Sequence, residues 1–159
     1  MNRTLALIPV VAISLFVSGV LLAEDSPFVG TWKLNVAKSK FTGIQPPKSQ
    51  TRTTVAQGDS ETVAVEGIRA DGSEDGYSYS FNFDGKDEPI FGTDPFGADT
   101  IAHTRVDAKT HTSIVKKAGK TLYTSRAVVS KDGKVLTITS KGVNAEGKPV
   151  STTTVWDKQ

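Results

Sequence analysis

The sequence predicts an all-β protein: a single antiparallel, up-and-down β-barrel of about ten strands, preceded by an N-terminal signal-peptide helix. Three observations carry this. Apolar residues after Ala23 recur at period two rather than 3.6. Gly-centred clusters of Asp, Asn and Lys interrupt the pattern at short, regular intervals. The segments between them are rich in β-branched and aromatic residues, which suit a pleated surface. A row of hairpins leaves two unpaired edges unless it closes on itself, so closure into a barrel is the expected outcome.

The chain opens with Asn2 and Arg3, runs through the apolar stretch Leu5 to Leu22, and reaches Ala23 ahead of the acidic pair Glu24-Asp25. Charge, greasy segment, small residue and polar start are the layout of a secretory signal peptide. The expected division is residues 1–23 as signal peptide and 24–159 as one barrel domain, in keeping with a 159-residue chain. The rival is an uncleaved anchor, since an apolar run of about 18 residues is near the lower limit for a bilayer span. Pro9 and Ser14 weaken that alternative. The expected location is periplasmic or secreted, with no membrane insertion left after cleavage.

Thr31–Val36 alternates, with Trp32, Leu34 and Val36 on one face. Ser39–Lys48 carries Gly43, Pro46 and Pro47 and reads as a loop. Gln50–Ala56 is a Thr-rich strand with no greasy face, and Glu61–Arg69 alternates through Val63 and Val65. Tyr77–Asp84 is the clearest strand, with Tyr77, Tyr79, Phe81 and Phe83 on one face. Glu88–Phe91, Thr100–Asp107, Thr110–Lys117, Thr121–Ser130, Val135–Lys141 and Val150–Lys158 complete the set. Between them, Asp71-Gly72, Asp84-Gly85, Ala118-Gly119, Asp132-Gly133 and Glu146-Gly147 place Gly where a tight hairpin needs positive φ.

Composition excludes several functions. With no cysteine, thiol catalysis, thiolate metal sites and disulfides are all absent. The net charge of +2 is spread as interspersed charges of both signs, without the basic block that nucleic acid or an anionic membrane requires. No nucleic-acid partner is expected, and the expected state is a monomer.

The aromatic stripe Tyr77, Tyr79, Phe81 and Phe83 is the leading ligand-binding candidate: it supplies a flat apolar wall, and two phenols able to orient a polar group. The plainer alternative for each is ordinary barrel core. His103 and His111, the only histidines, fall on neighbouring strands; lacking further ligands in tetrahedral array, they read as surface residues rather than a metal site. Asp71–Gly76 imitates the start of a calcium loop, but position twelve is Asn82 and flanking helices are missing, so it reads as an acidic hairpin turn. No Gly-x-Ser-x-Gly elbow occurs. Neither a metal, a cofactor nor catalysis is therefore expected. Phe96, in the long loop Gly92–Asp99, either covers a barrel mouth or anchors the loop.

The heptapeptide Phe28-Val29-Gly30-Thr31-Trp32-Lys33-Leu34 resembles the opening of fatty-acid-binding proteins, and its Gly-x-Trp core resembles the first-strand motif of lipocalins; together these form the calycin superfamily. The run Ser125–Lys134 resembles small exported bacterial proteins of lipocalin-like type. The resemblance implies a barrel floor at Gly30 and Trp32, where Gly30 lets the chain turn closely and Trp32 plugs the end. The departures are equally specific. Fatty-acid-binding proteins carry a two-helix lid between their first two strands, where this chain has only Ala37–Lys48 with two prolines. Their carboxylate-holding Arg-x-Tyr is matched here by Thr154-Val155-Trp156. A second family arginine has its nearest counterpart in Arg126, which either points into the cavity toward an anionic partner or is solvated outside. The expected function is an exported small-molecule-binding protein holding an apolar or amphipathic ligand in the cavity. The alternative is a cell-envelope structural or interaction protein with a filled barrel and no ligand.

Overall fold

The computed structural model of the protein describes residues 26–159. The signal segment expected at 1–23 lies outside the described residues. Twelve strands form one sheet: β1 (Gly30–Leu34), β2 (Lys40–Thr42), β3 (Ser49–Gln57), β4 (Ser60–Ile68), β5 (Glu74–Phe81), β6 (Asp84–Pro89), β7 (Phe91–Gly92), β8 (Thr100–Asp107), β9 (Thr110–Lys117), β10 (Lys120–Val129), β11 (Val135–Val143) and β12 (Pro149–Lys158). Every pairing is antiparallel, in the order β6-β8-β9-β10-β11-β12-β1-β3-β4-β5-β7, with β2 added to β12. The first long strand closes against the last, Leu34 opposite Trp156. The barrel is therefore nearly closed: β5 and β6 approach each other without forming a ladder. Among the described residues no helix is long and apolar enough to cross a membrane.

Ten of the strands act as staves; β2 and β7 are short additions. Two sequence expectations need correction. Ser39–Lys48 is not wholly loop, because Lys40–Thr42 pairs with Thr153–Ser151 and turns Phe41 onto the core. Asp84-Gly85-Lys86 is not a hairpin turn. Gly85 (φ +76) sits at the register shift between Asp84 and Asp87, a bulge at the start of β6, and the chain reverses just before it. Between β1 and β3 the only helical feature is a single 3-10 turn, Val36–Lys38, capped by Asn35.

One half of the interior is solid. Phe28, Trp32, Val63, Val65, Phe81, Val129 and Leu136 are buried there. Trp32 is fully buried and its indole N–H donates to the Phe28 carbonyl at 2.9 Å, so the one polar atom of its side chain is satisfied. The Lys158 ammonium lies 5.0 Å from its ring centroid. Gly30 adopts φ +128, a conformation an L side chain resists, and a Cβ there would stand 2.9 Å from Lys158 Cε. Gly92 is needed as well: with φ +92, its Cβ would meet the Gly76 carbonyl oxygen at 2.4 Å, preventing β7 from lying on β5.

Candidate functional site

The other half of the barrel encloses a cavity of about 520 Å³. Its wall follows from strand register. Inward-facing residues opposite one another across β8, β9 and β10 form an apolar row of Ile101, Val115 and Tyr123. The next inward row is polar across five strands: His103 faces Ser113, Ser113 faces Ser125, Ser125 faces Ser140 and Ser140 faces Thr152. All five side chains line the cavity, and the Ser113 and Ser125 hydroxyls hydrogen-bond each other. A third row, with His111, Ala127, Ile138 and Thr154, leads down to Trp156.

The opposite wall carries charge. Arg52, inward on β3 and 6% exposed, donates from Nη1 to Tyr79 Oη at 3.2 Å. Nearer the mouth, the buried Asp75 carboxylate accepts from Arg69 Nη2 at 3.0 Å and from Gln50 Nε2 at 2.8 Å. The Gly92–Asp99 loop folds over the cavity through Asp94. One Asp94 oxygen accepts the backbone N–H groups of Phe96 and Ala98, and the other accepts the Tyr123 hydroxyl at 3.2 Å. Burial still raises the Asp94 carboxyl above its usual range, and burial next to Asp94 raises the Tyr123 phenol. Phe96 packs on Tyr123 with centroids 4.6 Å apart and lines the cavity, so this aromatic is a cover of the mouth.

Not every site residue expected from the sequence reaches the cavity. Tyr77 and Tyr79 line it. Phe81 and Phe83 share their face but lie in the solid half, because β5 and the turn after it descend past the cavity toward the floor. Phe81 stacks on His103 at 3.8 Å, and the Arg105 guanidinium covers Phe83 at 3.9 Å. Arg126 is exposed on the outer face between Thr112 and Thr139, since Ser125, Ala127 and Val129 are the residues of β10 that alternate inward. It cannot hold a ligand inside. Gly30 and Trp32 lie in the solid half outside the cavity lining.

The histidines, expected on the surface, are inside. His103 and His111 are buried with ring centroids 5.1 Å apart, and their Nδ1 atoms have no partner among the described residues. Burial pushes the His103 imidazole well below its usual value; a proton on His111 and the positive charge of Arg52 would each oppose its protonation further. Burial holds His111 down to about 3, with Arg52 and Arg105 contributing. Both rings are neutral at physiological pH. Among the described residues no group of three or more His, Asp or Glu is placed to hold a metal ion. Asp71 accepts from the Ser73 N–H and hydroxyl, which makes its loop a self-bonded turn.

Sequence reasoning missed Arg52, the hydroxyl row, Asp94 and Tyr123. The one usable signal for Arg52 was its period-two relation to Gln50 and Thr54, next to the Trp32 strand; with Thr on both faces, that strand offered no way to choose its inside.

No family model matches the chain, and no curated protein matches it. Solved structures do. Zebrafish ileal bile acid-binding protein, complexed with cholic acid, superposes with a TM-score of 0.53 at 16% identity, covering 84% of this chain and 100% of that one. The siderocalin Ex-FABP superposes with a TM-score of 0.38 at 10% identity, covering 84% and 75%, too distant to add to the argument. What the first of these likenesses shows is the fold: this chain is built as a nearly closed antiparallel β-barrel.

Proposed function

We propose that the chain is an exported small-molecule-binding protein that holds an apolar or amphipathic ligand inside its barrel. The observation that carries this is the cavity of about 520 Å³, roofed by the Asp94 loop and walled by Tyr77, Tyr79 and Trp156. Its size falls within the roughly 300–1,000 Å³ typical of ligand pockets. A filled interior, which the interaction-protein alternative requires, is not what the described residues form. Binding rather than catalysis suits the site, because neither imidazole has the carboxylate partner that orients a catalytic base among the described residues. Export rests on the leader-like segment before Glu24.

The test is native mass spectrometry of the protein isolated from the cells that make it, then denaturing extraction. A retained small molecule at one per chain, on a chain that begins after the leader, is the expected result. A bare mass that also fails to retain added lipophilic probes would sink the binding reading, and a chain retaining its first 23 residues would sink cleavage. Arg126→Ala is the control: retention is unchanged, and stability shifts by no more than about 0.5 kcal/mol, as for an ordinary surface site.

A further inference from the structure

Arg52 is more than nine-tenths buried and lines the cavity. A guanidinium has five N–H donors. Among the described residues Arg52 uses one of them, on the neutral Tyr79 phenol. The nearby carboxylates are already engaged: Asp75 by Arg69 and Gln50, Asp94 by two backbone N–H groups and Tyr123. A buried cation with no counter-charge is strongly unfavourable, and the side chain that carries these spare donors lines the cavity. Tyr79 accepts from Arg52, which leaves its own O–H to be donated. An oxyanion in the cavity would receive both, in the planar geometry for which a guanidinium is suited.

A second observation defines what adjoins that anion. Tyr79 stacks on His103 at 5.4 Å, and His103 begins the row that continues through Ser113, Ser125 and Ser140. The polar row thus starts beside the anion position and runs around the wall between the apolar row of Ile101, Val115 and Tyr123 and the mixed row of His111, Ala127, Ile138 and Thr154. Hydroxyls donate and accept alike, so such a row matches hydroxyl groups on a ligand and not a bare hydrocarbon.

We propose that Arg52, with Tyr79, is the anion-holding subsite of this cavity, and that its ligand is an anionic amphiphile hydroxylated next to its charged group. This rests on the small-molecule-binding reading above and names its ligand class.

The test is calorimetric titration of the purified protein at about pH 8, where a carboxylate is fully ionised. The probes are tetradecanoate, tetradecanol, tetradecyltrimethylammonium and 3-hydroxytetradecanoate. Expected is a preference for tetradecanoate over tetradecanol of about tenfold or more, with the ammonium weakest. Arg52→Gln collapses the ratio of carboxylate to alcohol affinity to near one. Arg52→Lys, which keeps the charge but loses the planar fork, restores part of it. The 3-hydroxyl adds a gain of several-fold, which is lost in the Ser113→Ala/Ser125→Ala double variant; removing both partners leaves neither hydroxyl orphaned. Circular dichroism confirms that each variant is folded. Equal affinity for tetradecanoate and tetradecanol, or a ratio unchanged by Arg52→Gln, overturns the anion subsite while leaving the cavity reading intact. Absence of a hydroxyl gain overturns the hydroxylated class. If no probe binds at all, the binding reading itself falls with it.

Discussion

Acidification from about pH 7 to about pH 5 is expected to destabilise the fold on the order of 2 kcal/mol through His111 alone, with His103 adding in the same direction. The cause is burial. Both rings sit among aromatic side chains, His111 against Phe28 at 4.4 Å and His103 against Phe81 at 3.8 Å, and the positive charge of Arg52 opposes protonation of either. The folded pKa of His111 is depressed from 6.5 to about 3. Below 6.5 the unfolded chain therefore takes up a proton that the folded chain refuses. Stability is complete above the unfolded value and drains away as pH falls toward the folded one. Arg105, beside Phe83, acts on His111 in the same sense. Asp94 works oppositely: burial raises its carboxyl, so its protonation favours the folded state. Comparing wild type with His111→Phe isolates the histidine contribution. Urea unfolding followed by tryptophan fluorescence at about pH 7 and pH 5 should show a smaller acid loss in the variant, by about 2 kcal/mol. Identical losses in the two proteins would mean that His111 does not remain neutral inside the barrel.

The fold was far more legible in the sequence than the site, and the reason is geometric. Period-two alternation and glycine turns are local, and they marked nine of the ten staves closely. Thr121–Ser130 was read correctly as a strand, yet its inside face could not be chosen, because Ser125 and Ala127 are no greasier than Thr124 and Val128. Only pairing with β9 and β11 decides that Ser125 looks inward and Arg126 outward. The same holds for β3, where Arg52 and Thr54 enter the core although nothing apolar marks their face. A cavity wall is a non-local object: the row from His103 to Thr152 draws one residue from each of five strands, and no single segment contains its pattern. β2 escaped notice, and β7 was run together with the end of β6 as Glu88–Phe91, for a different reason. With three and two residues, they are too short to show a period.

Trp32→Ala is expected to cost about 3–5 kcal/mol, the range for deleting a large aromatic from a packed core. Trp32 has no exposed surface, and its neighbours are held by the ladder of β1 with β3 and β12. Backbone so constrained cannot collapse into the void. The Phe28 carbonyl also loses its indole donor, and Lys158 loses the ring beneath its ammonium. Since small domains are stable by only about 5–15 kcal/mol, the variant should be close to unfolding at physiological temperature. Trp156 provides the contrast. It is equally buried, with its indole N–H given to Thr154 Oγ1 at 2.9 Å, but it lines the cavity. One side of its ring already faces open space, so Trp156→Ala enlarges an existing cavity and forfeits fewer contacts. Its stability loss should be the smaller of the two, while its affinity for lipophilic probes changes more. Urea midpoints and probe titrations on both variants decide the matter. If Trp32→Ala loses less than about 1 kcal/mol, the solid half of the barrel is not the rigid floor on which the cavity stands.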